Sequence, residues 1–90
     1  MDVDVVHLPE RSRFEAEVEG AVAFLTYERT GGTAVMTHTV VPRHLEGRGI
    51  AGRIVETAAN WARGEGLSIE PQCSYVRSWL QKNGRSTMGT

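Results

Sequence analysis

Three glycines, Gly47, Gly49 and Gly52, stand at G-x-G-x-x-G spacing within HLEGRGIAGRIVETAANWARGEG, residues 44–66, and the only cysteine, Cys73, follows in PQCSYV. Glycine at 47 and 49 removes the Cβ that would hold a ligand away from the main chain, and it tolerates positive φ. A glycine-rich entry to a helix also leaves several N–H groups unpaired at the positive end of the helix dipole, an arrangement suited to phosphate. The same spacing carries the dinucleotide fingerprint, and Glu70 stands near the distance of its ribose-binding acid. The surroundings argue against a dinucleotide. The strands ahead of the glycines are antiparallel, PRHLE separates the last of them from Gly47, and 90 residues are too few for two βαβαβ halves. The plain alternative is that the glycines only form a tight entry to the helix.

Cys73 is either a small buried hydrophobe or a reactive thiol. At a helix N-terminus its thiolate is favoured, and a shift from about 8.5 toward about 7 would ionise roughly half of it at neutral pH. His38 is either a base, directly or through water, or a satisfied strand histidine. Alternation puts Met36, His38 and Val40 on one face of their strand and Val35, Thr37 and Thr39 on the other, so the strand's orientation decides whether His38 sees a cleft. Tyr75 is a competing acid or the start of an apolar helical face. His7 and His44 have no partners at ligand spacing, and with one cysteine no metal site is expected. Trp61 and Trp79 read as packing, and Arg11, Arg13, Glu15, Glu17 and Glu19 as a solvated strand face.

The elements that must position these groups follow from hydrophobic periodicity. Residues 3–8 form an extended run ended by Pro9, and residues 13–18 alternate polar and apolar with Phe14, Ala16 and Val18 on one side. Glu19-Gly20 reads as a turn into a strand over 21–29, and Gly31-Gly32 closes a hairpin with 33–41. After Pro42 and HLEGRG, the spacing of Ile50, Ile54, Ala58, Trp61 and Ala62 predicts a helix, terminated by Gly64 and Gly66. Residues 67–70 form a short strand broken by Pro71, and 75–83 a second, shorter helix with Tyr75, Val76 and Trp79 inward. Residues 84–90 are expected to be loose.

With 40% hydrophobic residues and 90 positions, the chain makes one small domain, since a chain this short buries only roughly three-fifths of its unfolded surface. The formal net charge is -1, from 10 basic and 11 acidic side chains mixed along the sequence, so no partner of the nucleic-acid or anionic-membrane kind is expected. The longest apolar run, residues 21–25, is far short of the ~20 residues of a membrane span. Asp2 and Asp4 stand where a secretory signal would carry positive charge, so a cytoplasmic location is expected.

The stretch THTVVPRHLEGRGIA, residues 37–51, resembles motif A of the GNAT superfamily of acetyl-coenzyme A dependent N-acetyltransferases: strand, Val-Pro, a short arm, then R/Q-x-x-G-x-G/A opening a helix. Gly49 and Ala51 fill its last two positions, while Glu46 replaces the usual Arg or Gln. With the meander, the His-Thr before Val-Pro and the later Pro-x-Cys-Ser-Tyr-Val, nearly the whole chain is similar to the very small stand-alone members of that superfamily. The resemblance implies an α/β (α+β) fold with a bent, mostly antiparallel sheet of about five strands, one long helix after the fourth strand and a short C-terminal helix. It implies acetyl-CoA as cofactor, its pantetheine paired with Thr39, Val40 and Val41 and its pyrophosphate held by Gly47, Arg48, Gly49, Ile50, Ala51 and Gly52. Arg48 is expected to offset the charge of Glu46. The implied activity is acetyl transfer to an unidentified amine, with Cys73 as nucleophile or general acid and His38 as base. A non-catalytic coenzyme A or acyl-CoA binding module is the alternative, and a ligand-free interaction domain a third. Either a monomer or a homodimer is compatible with the exposed sheet edges.

Overall fold

The protein, seen in a computed structural model that describes residues 3–87, is built on one five-stranded sheet of order β1-β2-β3-β4-β5. The strands are β1 (Val5–Leu8), β2 (Arg13–Val18), β3 (Ala21–Thr30), β4 (Thr33–Val40) and β5 (Ser68–Pro71). The first four are antiparallel neighbours, and β5 returns parallel to β4. Helix α1 (Ile50–Gly64) makes that crossover, and α2 (Ser74–Thr87) follows β5. The expected bent, mostly antiparallel α+β architecture is therefore the one observed.

Period-two alternation decides the core. Phe14 and Ala16 on β2, Ala23, Leu25 and Tyr27 on β3, and Ala34 and Met36 on β4 are all buried on one face. Ile50, Ile54, Val55, Ala58 and Ala62 of α1 and Val76 of α2 cover them. α2 runs to Thr87, past the Asn83 expected. A glycine inside a helix costs only about 1 kcal/mol relative to alanine, so Gly84 does not end the helix as a sequence signal suggests. Residues 88–90 of the expected loose tail lie outside the described residues. Tyr75 also departs from expectation, being 41% exposed where Val76 beside it is buried. Among the described residues, no helix is long and apolar enough to cross a membrane.

The strand over 33–41 does not keep strict alternation. Thr26 pairs with His38, but Tyr27 pairs with Met36, so Thr37 is an extra residue, a β-bulge, in β4. Its hydroxyl meets Thr26 Oγ1 at 2.6 Å and donates to the Thr26 carbonyl at 3.2 Å. The bulge reverses the facing of all that follows. Thr39, opposite Leu25, joins Met36 on the helix-covered face, while His38 and Val40 turn to the other.

His7 has context that its sequence spacing does not show. Its ring stacks on Phe14 with centroids 4.1 Å apart, its Nε2 lies 2.7 Å from Tyr27 Oη, and Trp61 closes the cluster at 4.8 Å. Burial holds its pKa below the usual imidazole value, against the pull of Glu10 and Glu65. The unfolded chain therefore binds this proton more readily than the folded one. Stability from neutral His7 is complete above about pH 6.5 and declines as pH falls from there to the lower folded value. Thermal unfolding followed across that window is expected to show a drop in Tm that His7→Phe abolishes.

Candidate active site

Beyond Met36 the fourth and fifth strands part. Their ladder ends at the Met36 and Pro71 pair, and the Met36 carbonyl accepts from both Gln72 N–H (3.0 Å) and Cys73 N–H (3.1 Å). The chain then turns into α2 while β4, displaced by its bulge, continues alone. The edge of β4 that faced β5 thus lacks a strand partner from Thr37 onward.

A cleft of about 470 Å³ opens beside that edge, lined by Thr39, Val41, Leu45, Glu46, Gly47, Gly49, Ile50, Ala51 and Tyr75. Its floor is set by a short 3-10 turn, Arg43–Leu45, whose Leu45 is fully buried and anchors an otherwise polar loop. Gly47 and Gly49 both hold positive φ (85° and 80°), and a Cβ built on either meets nothing within 4 Å. Their main chain is open to the cleft, and no side chain caps the first turn of α1 that begins there. Backbone donors at a helix start that no side chain caps suit an anionic group.

Cys73 stands at the point where the strands part. Its carbonyl accepts the Arg77 N–H at 3.0 Å, which makes it the N-cap residue of α2. Its half-buried thiol lies 3.6 Å from Thr39 Oγ1. Burial pushes the thiol pKa up, but hydrogen bonds from the Val76 N–H, the Thr39 hydroxyl, and the Tyr75 and Thr39 main chain outweigh it and hold it below its ordinary value. The sulfur occupies the place of a capping serine or aspartate oxygen, where helix N–H groups favour an anion. A Thr39→Val variant removes one donor to the thiolate, so the pH midpoint of Cys73 alkylation by iodoacetamide is expected to rise toward the usual thiol value of about 8.5.

The structure gathers Thr39, Val41, Gly47, Gly49, Ile50 and Ala51 around one cleft, with Cys73 in contact with Thr39 behind it. Other expected site residues lie elsewhere. Val40 is 44% exposed and His38 is exposed, both on the face of the sheet away from the helices. Arg48 does not line the cleft: its Nη1 bonds Glu19 Oε2 at 2.7 Å. It is thus already engaged by another carboxylate, contrary to its expected role of offsetting Glu46. Gly52 lies against α2, where an added Cβ would sit 3.5 Å from Tyr75 Oη and 3.7 Å from Trp79 Nε1. Sequence reasoning missed Leu45, although a lone leucine among polar loop residues was the available signal. It placed Tyr75 inward, whereas the ring lines the cleft. Among the described residues, no three His, Cys, Asp or Glu side chains are grouped to hold a metal ion.

A family model described as GCN5-related N-acetyl-transferase matches residues 13–87. The Protein NATD1 of Xenopus tropicalis is 31% identical over 84 residues, covering 90% of this chain and 77% of its own length. The Protein NATD1 of Gallus gallus and that of Mus musculus align equally, at 31% over 84 residues and 76% of their lengths.

Proposed function

This chain belongs to the GCN5-related N-acetyltransferase family, and on that premise we propose that it moves an acetyl group from acetyl-CoA to an amine with Cys73 as nucleophile. The observation that carries this is the position of the sulfur: at the N-cap of α2, where β4 and β5 part, and 3.6 Å from the hydroxyl of Thr39, which lines the cleft. Acetyl-CoA is the donor substrate and brings an acetyl thioester. The free edge of β4 at residues 39–41 receives the extended pantetheine arm as an added strand, a mode that uses main-chain groups. The open main chain at Gly47 and Gly49, with the first turn of α1, holds the pyrophosphate.

The chain's own groups then divide the work. Hydrogen bonds from the Thr39 hydroxyl and the Tyr75 and Val76 N–H groups lower the pKa of the Cys73 thiol; its thiolate attacks the thioester carbonyl carbon, coenzyme A leaves as its thiolate, and the acceptor amine then attacks the acetyl-cysteine and releases the sulfur as thiolate. Attack by the acceptor requires a neutral amine. Incubation with acetyl-CoA followed by mass analysis tests the proposal: acetylation on Cys73 supports it. Turnover with no acetyl-cysteine under rapid quench would instead leave Cys73 as an acid at most.

Glu46 lines the cleft and is the one carboxylate there. Its charge opposes a diphosphate, and at an exposed position water and salt weaken the repulsion. Glu46→Gln is therefore expected to tighten coenzyme A binding by about two- to fivefold at low ionic strength, with the gain fading as salt is added. Calorimetric titration at two salt concentrations checks both statements.

A further inference from the structure

The sulfur of Cys73 and the hydroxyl of Thr39 meet at 3.6 Å across the gap between the parted strands, and the two sides of that gap are held differently. On the Cys73 side, the Met36 carbonyl accepts from the Gln72 and Cys73 N–H groups, and the Arg77 guanidinium donates to the Pro71 and Gln72 carbonyls at 3.2 and 3.4 Å. These bonds tie down the turn into α2. On the other side, the β5 ladder has ended before Thr39, whose place is set from the far edge of β4, where it lies opposite Leu25 of β3. That register exists because Thr37 is the extra residue of the bulge. With strict alternation from Met36, His38 would face the helices and Thr39 would face away.

A bulge leaves its extra residue unpaired in the ladder, so the backbone by itself holds it weakly in place. Here side chains hold it. The Thr37 hydroxyl donates to the Thr26 carbonyl at 3.2 Å. With that proton committed, the 2.6 Å contact between the two hydroxyls has Thr26 as donor and Thr37 as acceptor. Both hydroxyl protons are used, and the two bonds join the bulged residue to the last residue of β3 before the register shifts. Both threonines are half-buried, and neither lines the cleft. Valine has the same branched shape, so packing alone would not select two hydroxyls at this point.

We infer that Thr26 and Thr37 are positioning residues: their hydroxyl pair pins the bulge at residue 37 and thereby keeps the Thr39 hydroxyl against the Cys73 sulfur. The use of this arrangement rests on the reading of Cys73 as nucleophile, but its geometry is read on the thiol without acetyl-CoA. Thr37→Val removes both bonds and keeps a β-branched side chain suited to a strand. The pH midpoint of Cys73 alkylation by iodoacetamide should then rise by about half a unit, toward that of Thr39→Val. Cys73 is the chain's only cysteine, so the signal has one source. Thr26→Val removes the same pair from the β3 side and should act alike, which keeps the test decisive if Thr37→Val does not fold. Thr37→Ser retains the hydroxyl and should restore the wild-type midpoint. The double variant Thr37→Val/Thr39→Val should rise no further than Thr39→Val, because the first change acts through the second residue. Thr57→Val, which removes an α1 hydroxyl bonded to the Arg53 carbonyl, should leave the midpoint unchanged. A wild-type midpoint in folded Thr37→Val or Thr26→Val protein would overturn the inference, and so would an additive rise in the double variant. Mass analysis of wild-type protein treated with acetyl-CoA reads the nucleophile separately, so an absent acetyl-cysteine would remove the proposed reaction and leave the positioning result standing.

Discussion

Cys73→Ala is expected to lower turnover by at least about a thousandfold while coenzyme A affinity stays within about twofold. Removing a general acid costs about 10²–10⁴ in rate, whereas removing a nucleophile on which an obligatory intermediate forms abolishes that route altogether. Alanine also removes the cap of α2, since the sulfur accepts from the Tyr75 and Val76 N–H groups. Loss of a cap destabilises a helix by about 1 kcal/mol, so part of the lost turnover could reflect a frayed α2. Cys73→Ser separates the two effects. A serine oxygen caps as well as the sulfur or better, but an unactivated hydroxyl is a far weaker nucleophile at neutral pH. The serine variant should match wild-type Tm and still lose turnover. Undiminished turnover in either variant would remove Cys73 from the chemistry.

Gly49→Val should weaken coenzyme A binding by at least about a hundredfold. Gly49 is the N-cap of α1 at φ 80° and ψ 11°, a left-handed conformation. Any L-residue there costs roughly 1–2 kcal/mol, and a β-branched one resists it most. The added side chain would not clash with the protein, since a Cβ at 49 meets nothing within 4 Å. It would instead occupy the cleft and keep a diphosphate from the main-chain donors. A hydrogen bond to a charged group contributes about 1.5–3 kcal/mol, so losing two of them exceeds the ~2.7 kcal/mol that corresponds to a hundredfold. Gly52→Ala is the informative companion. Its Cβ would make ordinary contacts with Tyr75 and Trp79, in helical backbone where alanine is preferred, so Tm should rise with a gain of up to about 1 kcal/mol. Calorimetry for Gly49→Val and thermal unfolding for both variants would check these outcomes. Unchanged coenzyme A affinity in a folded Gly49→Val protein would contradict the phosphate site.

Local pattern alone determined the elements: alternation in RFEAEV, the Gly31-Gly32 turn and the three- and four-residue spacing from Ile50 to Ala62 each declare a strand, a hairpin or a helix. The glycine loop was equally legible, because positive φ and close main-chain approach select glycine whatever the rest of the chain does. What tertiary structure decided were facing and partnership. The bulge at Thr37 depends on how β3 and β4 pair, and it reversed the sides of His38 and Thr39 relative to simple alternation. Arg48 found Glu19, 29 positions away, and Cys73 found Thr39, 34 positions away. Tyr75 was drawn to the cleft beside Gly52 by the packing of α2 on α1, although its place in an apolar run pointed inward. Periodicity reports the environment of a residue averaged along its own element. Which atoms meet across the V between two diverging strands depends on register and helix placement, and those are properties of the assembled sheet.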